Sequence, residues 1–168
     1  MRVWNVGLGE SGSGSRGSER GWECRGDNVA DYYLFGIFDG HGGDAAASYA
    51  MASLVPLLEA YLPASELLEN VDGAAAWAGA LQEALVKTVL ELNRRFAVKG
   101  ETSGCTATMV LQIGQLLTCC SLGHTHATLD AGTGPLVTLT ADHSVARNAA
   151  ERERLLSMGG RLAPLDVS

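Results

Sequence analysis

The spacing of apolar residues changes period several times along the chain, and each change marks an element. Tyr32-Tyr33-Leu34-Phe35-Gly36-Ile37-Phe38 is short, aromatic and apolar, the composition of a buried strand. From Asp44 to about Leu62 the period lengthens: Ala47, Met51, Leu54, Leu58 and Leu62 recur at helical spacing. Asp44 stands at the N-cap position of that helix, Pro63 ends the pattern, and Pro56 falls inside it as a source of a kink. Trp77, Leu81, Leu85, Val89, Leu92 and Phe96 form a second stripe over about residues 74–98, read as core and not as a partner groove. Glu83, Lys87, Glu91 and Arg94 lie off that stripe, and Gly100 is placed to end the helix. β character returns at 106–113 and 115–122, hinged at Gly114, then at 127–131 and 136–139, joined through Gly132-Thr133-Gly134-Pro135. A short charged helix over about 148–157 ends at Gly159-Gly160.

Runs of strands separate from runs of helices predict an α+β fold, with helices layered on a largely antiparallel sheet. The stretch from Gly7 to Gly26 is polar and rich in Gly, Ser, Arg and Glu, which predicts a mobile loop. It lacks a leading strand and a closing Gly-Lys-Ser/Thr, so a phosphate-cradling loop is the weaker reading. The expected organisation is a flexible segment over 1–27 and one folded unit over 28–168.

Composition narrows the function class. With 168 residues, 46% apolar and 18% charged, the chain suits one globular domain and excludes collagen-like, disordered and coiled-coil proteins. A net charge of −7 argues against a nucleic-acid or anionic-membrane footprint. No apolar run is long enough to predict a membrane span, and residues 1–21 lack the apolar stretch of a secretory signal. Cys24, Cys105, Cys119 and Cys120 are unevenly placed, so the expectation is free thiols in a reducing intracellular compartment, cytoplasmic or nuclear.

The most informative string is Asp39-Gly40-His41-Gly42-Gly43 at the end of the first strand. Glycines let a ligand approach the main chain, and a carboxylate with a bare carbonyl is a hard donor pair suited to Mg²⁺ or Mn²⁺. An adjacent imidazole can give or take a proton near neutral pH. The bland alternative is a glycine turn in which Asp39 caps the following helix. His124, His126 and His143 with Cys119 and Cys120 invite a zinc reading, but the paired spacing of structural zinc sites is missing. Cys119 and Cys120 read as core thiols with one turned outward, His143 as structural, Asp142 as a cap for the turn into the last helix, and Glu151 to Arg154 as a solvated helical face.

Four ordered strings carry a family resemblance. Phe35-Gly36-Ile37-Phe38-Asp39-Gly40-His41-Gly42-Gly43 resembles the signature of the metal-dependent (type 2C, or PPM-type) serine/threonine protein phosphatases. Lys99-Gly100-Glu101-Thr102-Ser103-Gly104-Cys105-Thr106-Ala107 is similar to the family's Gly-Ser/Thr-Thr-Ala strand entry, with wording close to a plant or green-algal subgroup. Gly123-His124-Thr125-His126-Ala127 stands at the place of its Gly-Asp-Ser-Arg-Ala turn. Leu139-Thr140-Ala141-Asp142-His143, with Glu151 to Arg154 and Gly159-Gly160, resembles its next conserved stretch.

The resemblance implies an αββα sandwich of two antiparallel sheets flanked by helices, here the N-terminal portion of such a domain, working as a monomer on phosphoprotein substrates. It implies two Mg²⁺ or Mn²⁺ ions, with Asp39 as a shared carboxylate ligand, Gly40 as a carbonyl ligand and His41 as general acid. Of the family's upstream acids, Glu19 is the best match and Asp27 a second, with Arg16 or Arg20 as phosphate contacts. His124 replaces the turn's Asp, and the chain ends at Ser168, before the family's later Asp motifs. The competing expectation is therefore a catalytically impaired relative, or an interaction fragment, of the same fold.

Overall fold

The computed structural model describes residues 18–26, 29–64, 74–113, 116–132 and 134–163. Four strands form one antiparallel sheet in the order β1-β2-β3-β4: β1 (Ser18–Gly26), β2 (Val29–His41), β3 (Gly104–Ile113) and β4 (Leu116–Leu122). A second, two-stranded antiparallel sheet pairs β5 (Thr128–Leu129) with β6 (Val137–Thr138). Helices α1 (Ala45–Glu59) and α2 (Ala74–Ala97) lie between β2 and β3 in sequence, and α3 (Ala149–Ser157) follows β6. The result is the mixed α+β architecture expected from the sequence.

The alternation along β2 decides which face is covered. Tyr32, Leu34 and Phe38 are buried with Ala107, Met109, Leu111 and Ile113 of β3, and with Leu54 and Leu58 of α1 and Leu81 and Leu85 of α2. The other parity, Tyr33 at 46% and Ile37 at 36% exposure, lies on the face away from the helices. The register pairs like with like: Leu34 opposite Leu111 and Phe38 opposite Ala107 on the helix side, Ile37 opposite Thr108 and Asp39 opposite Thr106 on the other. The α2 stripe is core as expected: Trp77, Leu81, Leu85 and Leu92 are buried, and Phe96 packs against Tyr49 of α1 with ring centroids 5.5 Å apart.

Three sequence expectations change. Residues Ser18–Gly26 form β1 rather than loop, because backbone pairing with a long, well-anchored β2 outweighs a polar composition; residues 7–17 lie outside the described residues. Asp39-Gly40-His41 is the paired end of β2 and not a turn beyond it, and the turn begins at Gly42. Asp44 is the residue before α1 but its side chain caps nothing; Ser103, at the entry to β3, accepts the Ala46 N–H through Oγ at 3.1 Å instead. A long-range partner thus takes the capping role that local sequence assigned to Asp44.

Candidate active site

Asp39, Gly40 and His41 end β2 opposite Thr106, Cys105 and Gly104, and all three are exposed. Phe38 turns into the helix-side core, so alternation sends Asp39 to the face away from the helices. Gly42 and Gly43 have φ of 66° and 127°, a left-handed path that reverses the chain into α1 and that other residues rarely take. Gly40 is required for space: a Cβ there would meet the Gly43 carbonyl oxygen at 2.9 Å. The His41 ring lies across Gly104, whose added Cβ would fall 2.5 Å from Cε1 and 2.8 Å from Nε2. The sequence marked Asp39, Gly40 and His41; Gly104 and Ser103, which make room for the ring and cap the helix, lay in the second string without a stated role.

The upstream candidates are placed by register alone. Glu19 stands opposite Ile37, which makes it the diagonal neighbour of Asp39, with backbones about 7–8 Å apart. Arg20 stands opposite Gly36. Arg16 and Asp27 lie outside the described residues.

Beside this site the fold joins two of the histidines that invited a zinc reading, His124 and His126, to a carboxylate that the sequence had not grouped with them, Asp142. Gly123 follows β4 and packs on Thr106, the partner of Asp39, with its Cβ position 3.2 Å from Thr106 Cγ2. Thr125 is pinned inward, its hydroxyl 2.7 Å from that of Thr108, so its neighbours His124 and His126 both lie exposed. Ala127 N–H donates to Thr140 Oγ1 at 3.0 Å and Leu139 N–H to the Ala127 carbonyl at 2.8 Å, drawing the segment after β6 alongside. These anchors bring Asp142 to the two imidazoles, so that ligand atoms of His124, His126 and Asp142 lie within 4.8 Å of one another. Arg147 donates from Nη2 to His124 Nε2 at 2.8 Å, and its Nε lies 3.5 Å from Asp142 Oδ2. The Asp142 carboxylate accepts the Ser144 N–H at 2.8 Å, which with Arg147 and His126 holds its pKa below the ordinary range.

Asp142 caps the turn that leads into α3, as expected, by accepting the Ser144 N–H, and Asn148 caps the helix itself, accepting the Glu151 N–H through Oδ1 at 3.2 Å while its Nδ2 donates to the Asp142 carbonyl at 2.7 Å. One expectation nearby is corrected. Glu151 is buried at 8% exposure, not part of a solvated face: Arg154 donates to it from Nε at 2.8 Å and His143 Nδ1 lies 3.4 Å away. Arg154 chiefly, with His143 adding, brings the Glu151 pKa down to about 2. Cys105, Cys119 and Cys120 are free and half-buried, and burial pushes the Cys119 thiol up to about 11, which keeps it an unreactive packing residue.

The first three strings that carry the resemblance therefore meet at one end of the four-stranded sheet, and the fourth joins them through the Ala127–Thr140 contact. The sequence pattern of the family described as Protein phosphatase 2C matches residues 13–166. The chain belongs to the protein phosphatase 2C family. It is 36% identical over 142 residues to "Probable protein phosphatase 2C 5" of Arabidopsis thaliana, covering 84% of this chain and 32% of that relative. It is also 36% identical over 136 residues to "Probable protein phosphatase 2C 3" of Oryza sativa subsp. japonica, covering 81% of this chain and 27% of that relative. The chain spans about a third of the length of these curated relatives. The crystal structure of serine-threonine phosphatase 2C from Toxoplasma gondii shares the fold with a TM-score of 0.61 at 17% identity, over 92% of this chain and 58% of that one. A structure described as that of a C. elegans sex determining protein does so with a TM-score of 0.62 at 20% identity, over 94% of this chain and 41% of that one. The protein phosphatase 2C match takes in β1, upstream of the expected start of the folded unit at residue 28. Among the described residues no helix is long and apolar enough to cross a membrane.

Proposed function

We propose that this chain carries the site of a metal-dependent protein serine/threonine phosphatase, hydrolysing phosphoserine and phosphothreonine esters in proteins. The observation that carries the reading is the exposed Asp39-Gly40-His41 end of β2, with a glycine where an added Cβ would overlap the Gly43 carbonyl oxygen. A carboxylate beside a main chain that a ligand can approach closely is a hard donor set, which suits Mg²⁺ or Mn²⁺ better than zinc. Asp39 and the Gly40 carbonyl would hold the metal, with Glu19, its diagonal neighbour across β1 and β2, as a second carboxylate. When bound, such cations supply charge neutralisation of the phosphate and a nucleophile at neutral pH.

His41 supplies the remaining requirement. A serine or threonine alkoxide is a poor leaving group, and an exposed imidazole beside the ester donates a proton to that oxygen as the bond to phosphorus breaks. Gly104 leaves the ring the space to take this place. Arg16 and Arg20 are proposed as phosphate contacts. The free thiols of Cys105, Cys119 and Cys120 support action in a reducing compartment. The relatives' shared description as probable protein phosphatases supports an enzyme over an impaired relative.

The test is hydrolysis of p-nitrophenyl phosphate and of a phosphoserine peptide with added Mn²⁺. Asp39→Ala is expected to abolish both activities. His41→Ala is expected to slow the peptide roughly 10²- to 10⁴-fold and the aryl ester much less, because phenolate leaves without protonation. Activity untouched by Asp39→Ala, or equal losses on both substrates with His41→Ala, would overturn the respective role.

A further inference from the structure

We propose a second metal site at the same end of the sheet, built from His124, His126 and Asp142, that binds a borderline divalent transition cation of the Zn²⁺ or Co²⁺ class. It is independent of the Asp39 reading, since it shares no residue with it.

The donor chemistry is the first support. Arg147 has only N–H groups to offer, so at 2.8 Å from it His124 Nε2 stands as the acceptor, its lone pair directed at the guanidinium. The Asp142 carboxylate faces the same guanidinium, with Nε of Arg147 3.5 Å from Oδ2. His126 closes the group, its Nε2 3.9 Å from Asp142 Oδ1 and its ring edge-on to His124 with centroids 5.6 Å apart. Two lone-pair donors thus already converge on a cation, and that cation is an arginine. Two imidazoles and one carboxylate, with positions left for water, form a ligand set that transition cations favour over Mg²⁺.

The second support is the scaffold. Donor atoms now spread over 4.8 Å would close to about 3.3 Å around a tetrahedral ion with bonds near 2.0–2.1 Å. The backbone carrying them is tied at Thr125, Ala127, Ser144 and Asn148, while the two His side chains are exposed. Only side-chain torsions need change. Asp142 keeps the Ser144 amide on one oxygen, which orients the carboxylate as an outer-shell partner would. Arg147, exposed, swings away when the ion enters.

The site makes a prediction opposite in sign for Arg147 and for the ligands. Co²⁺ titrated into the 168-residue chain in millimolar Mg²⁺, which occupies the Asp39 site, is expected to give visible d–d absorption with one ion per chain, competed by Zn²⁺. His126→Ala and Asp142→Asn are expected to weaken binding roughly tenfold or more, whereas Arg147→Ala is expected to tighten it several-fold by removing the competing charge. Asp39→Ala is expected to leave the spectrum unchanged, which separates this site from the phosphatase site. Far-ultraviolet circular dichroism checks that each variant is folded; His126 is exposed, so its replacement is the decisive one. Wild-type affinity in His126→Ala, weaker binding in Arg147→Ala, loss of the band in Asp39→Ala, or a near-ultraviolet sulfur-to-cobalt band would each overturn the proposal.

Discussion

Gly40 precedes His41 and Gly104 faces it across the ladder, and the same substitution at each is expected to have opposite consequences. A Cβ at Gly40 would lie 2.9 Å from the Gly43 carbonyl oxygen, with Asp44 Cα at 3.5 Å and Ala47 Cβ at 3.6 Å behind it. The nearest atom is backbone in a turn that must keep its left-handed φ values, so the overlap cannot be relieved by a rotamer. Overpacking of this kind costs about 1–3 kcal/mol, offset by about 0.4–1 kcal/mol from the reduced freedom of the unfolded chain. Gly40→Ala should therefore lose roughly 1–2 kcal/mol and lower Tm by about 2–8 °C for a domain of this size. At Gly104 the overlap is deeper, 2.5 Å from Cε1 of His41, but the obstructing atoms end an exposed side chain that can swing aside. Gly104→Ala should stay within about 0.5 kcal/mol of wild type in stability, because a small strain is set against the unfolded-state gain. Displacing the ring by about 1 Å should still cost on the order of 10²-fold in turnover of a phosphoserine peptide, and far less with p-nitrophenyl phosphate. Urea and thermal unfolding beside paired kinetics read both effects. Equal destabilisation by the two variants, or a Gly104→Ala enzyme with full peptide turnover, would refute the reasoning.

Ser103→Ala should lose about 1 kcal/mol in urea unfolding, since it removes the acceptor of the Ala46 N–H, while Asp44→Ala should change little. Leu81→Ala, a fully buried α2 side chain, should lose about 2–5 kcal/mol in the same assay. Glu151 has its pKa lowered from 4.5 to about 2 in the folded chain, so its stabilisation is present above pH 4.5 and fades as pH falls toward 2. Glu151→Gln should accordingly flatten the acid limb of stability against pH; an unchanged limb would exclude the Arg154 pairing as its source.

Periodicity made the helices and the β2–β3–β4 meander legible, because each buries a regular apolar stripe: Trp77 to Leu92 on α2, Leu34 and Phe38 on β2. It did not reveal β1, whose pairing with β2 depends on a partner strand and not on its own composition. Asp39, Gly40 and His41 stood out in the sequence by residue chemistry and by the family resemblance, and the structure places them together at the exposed end of β2. The roles of Ser103 and Gly104 toward Ala46 and His41 were not legible, since they exist only once β2 and β3 are in register. His124 and His126 were noticed but set aside for want of a paired partner: two histidines two positions apart in an extended segment share a side, and the carboxylate that joins them, Asp142, arrives from 16 positions downstream through the Ala127–Thr140 contact. Glu151 looked solvated in a run of charges, and only its neighbours His143 and Arg154 explain its burial.

β2 is uninterrupted from Val29 to His41, and that continuity ties reactivity to hydrophobic bookkeeping. Sliding the strand by one residue would invert it, driving the Asp39 carboxylate under the helices and tipping Phe38 and Leu34 into water. Misalignment is thereby penalised at every greasy position at once, so no separate device is needed to aim the acid outward. Mutations in the oily half of the ladder, far from any phosphate, should consequently surface as misdirected chemistry before they surface as collapse.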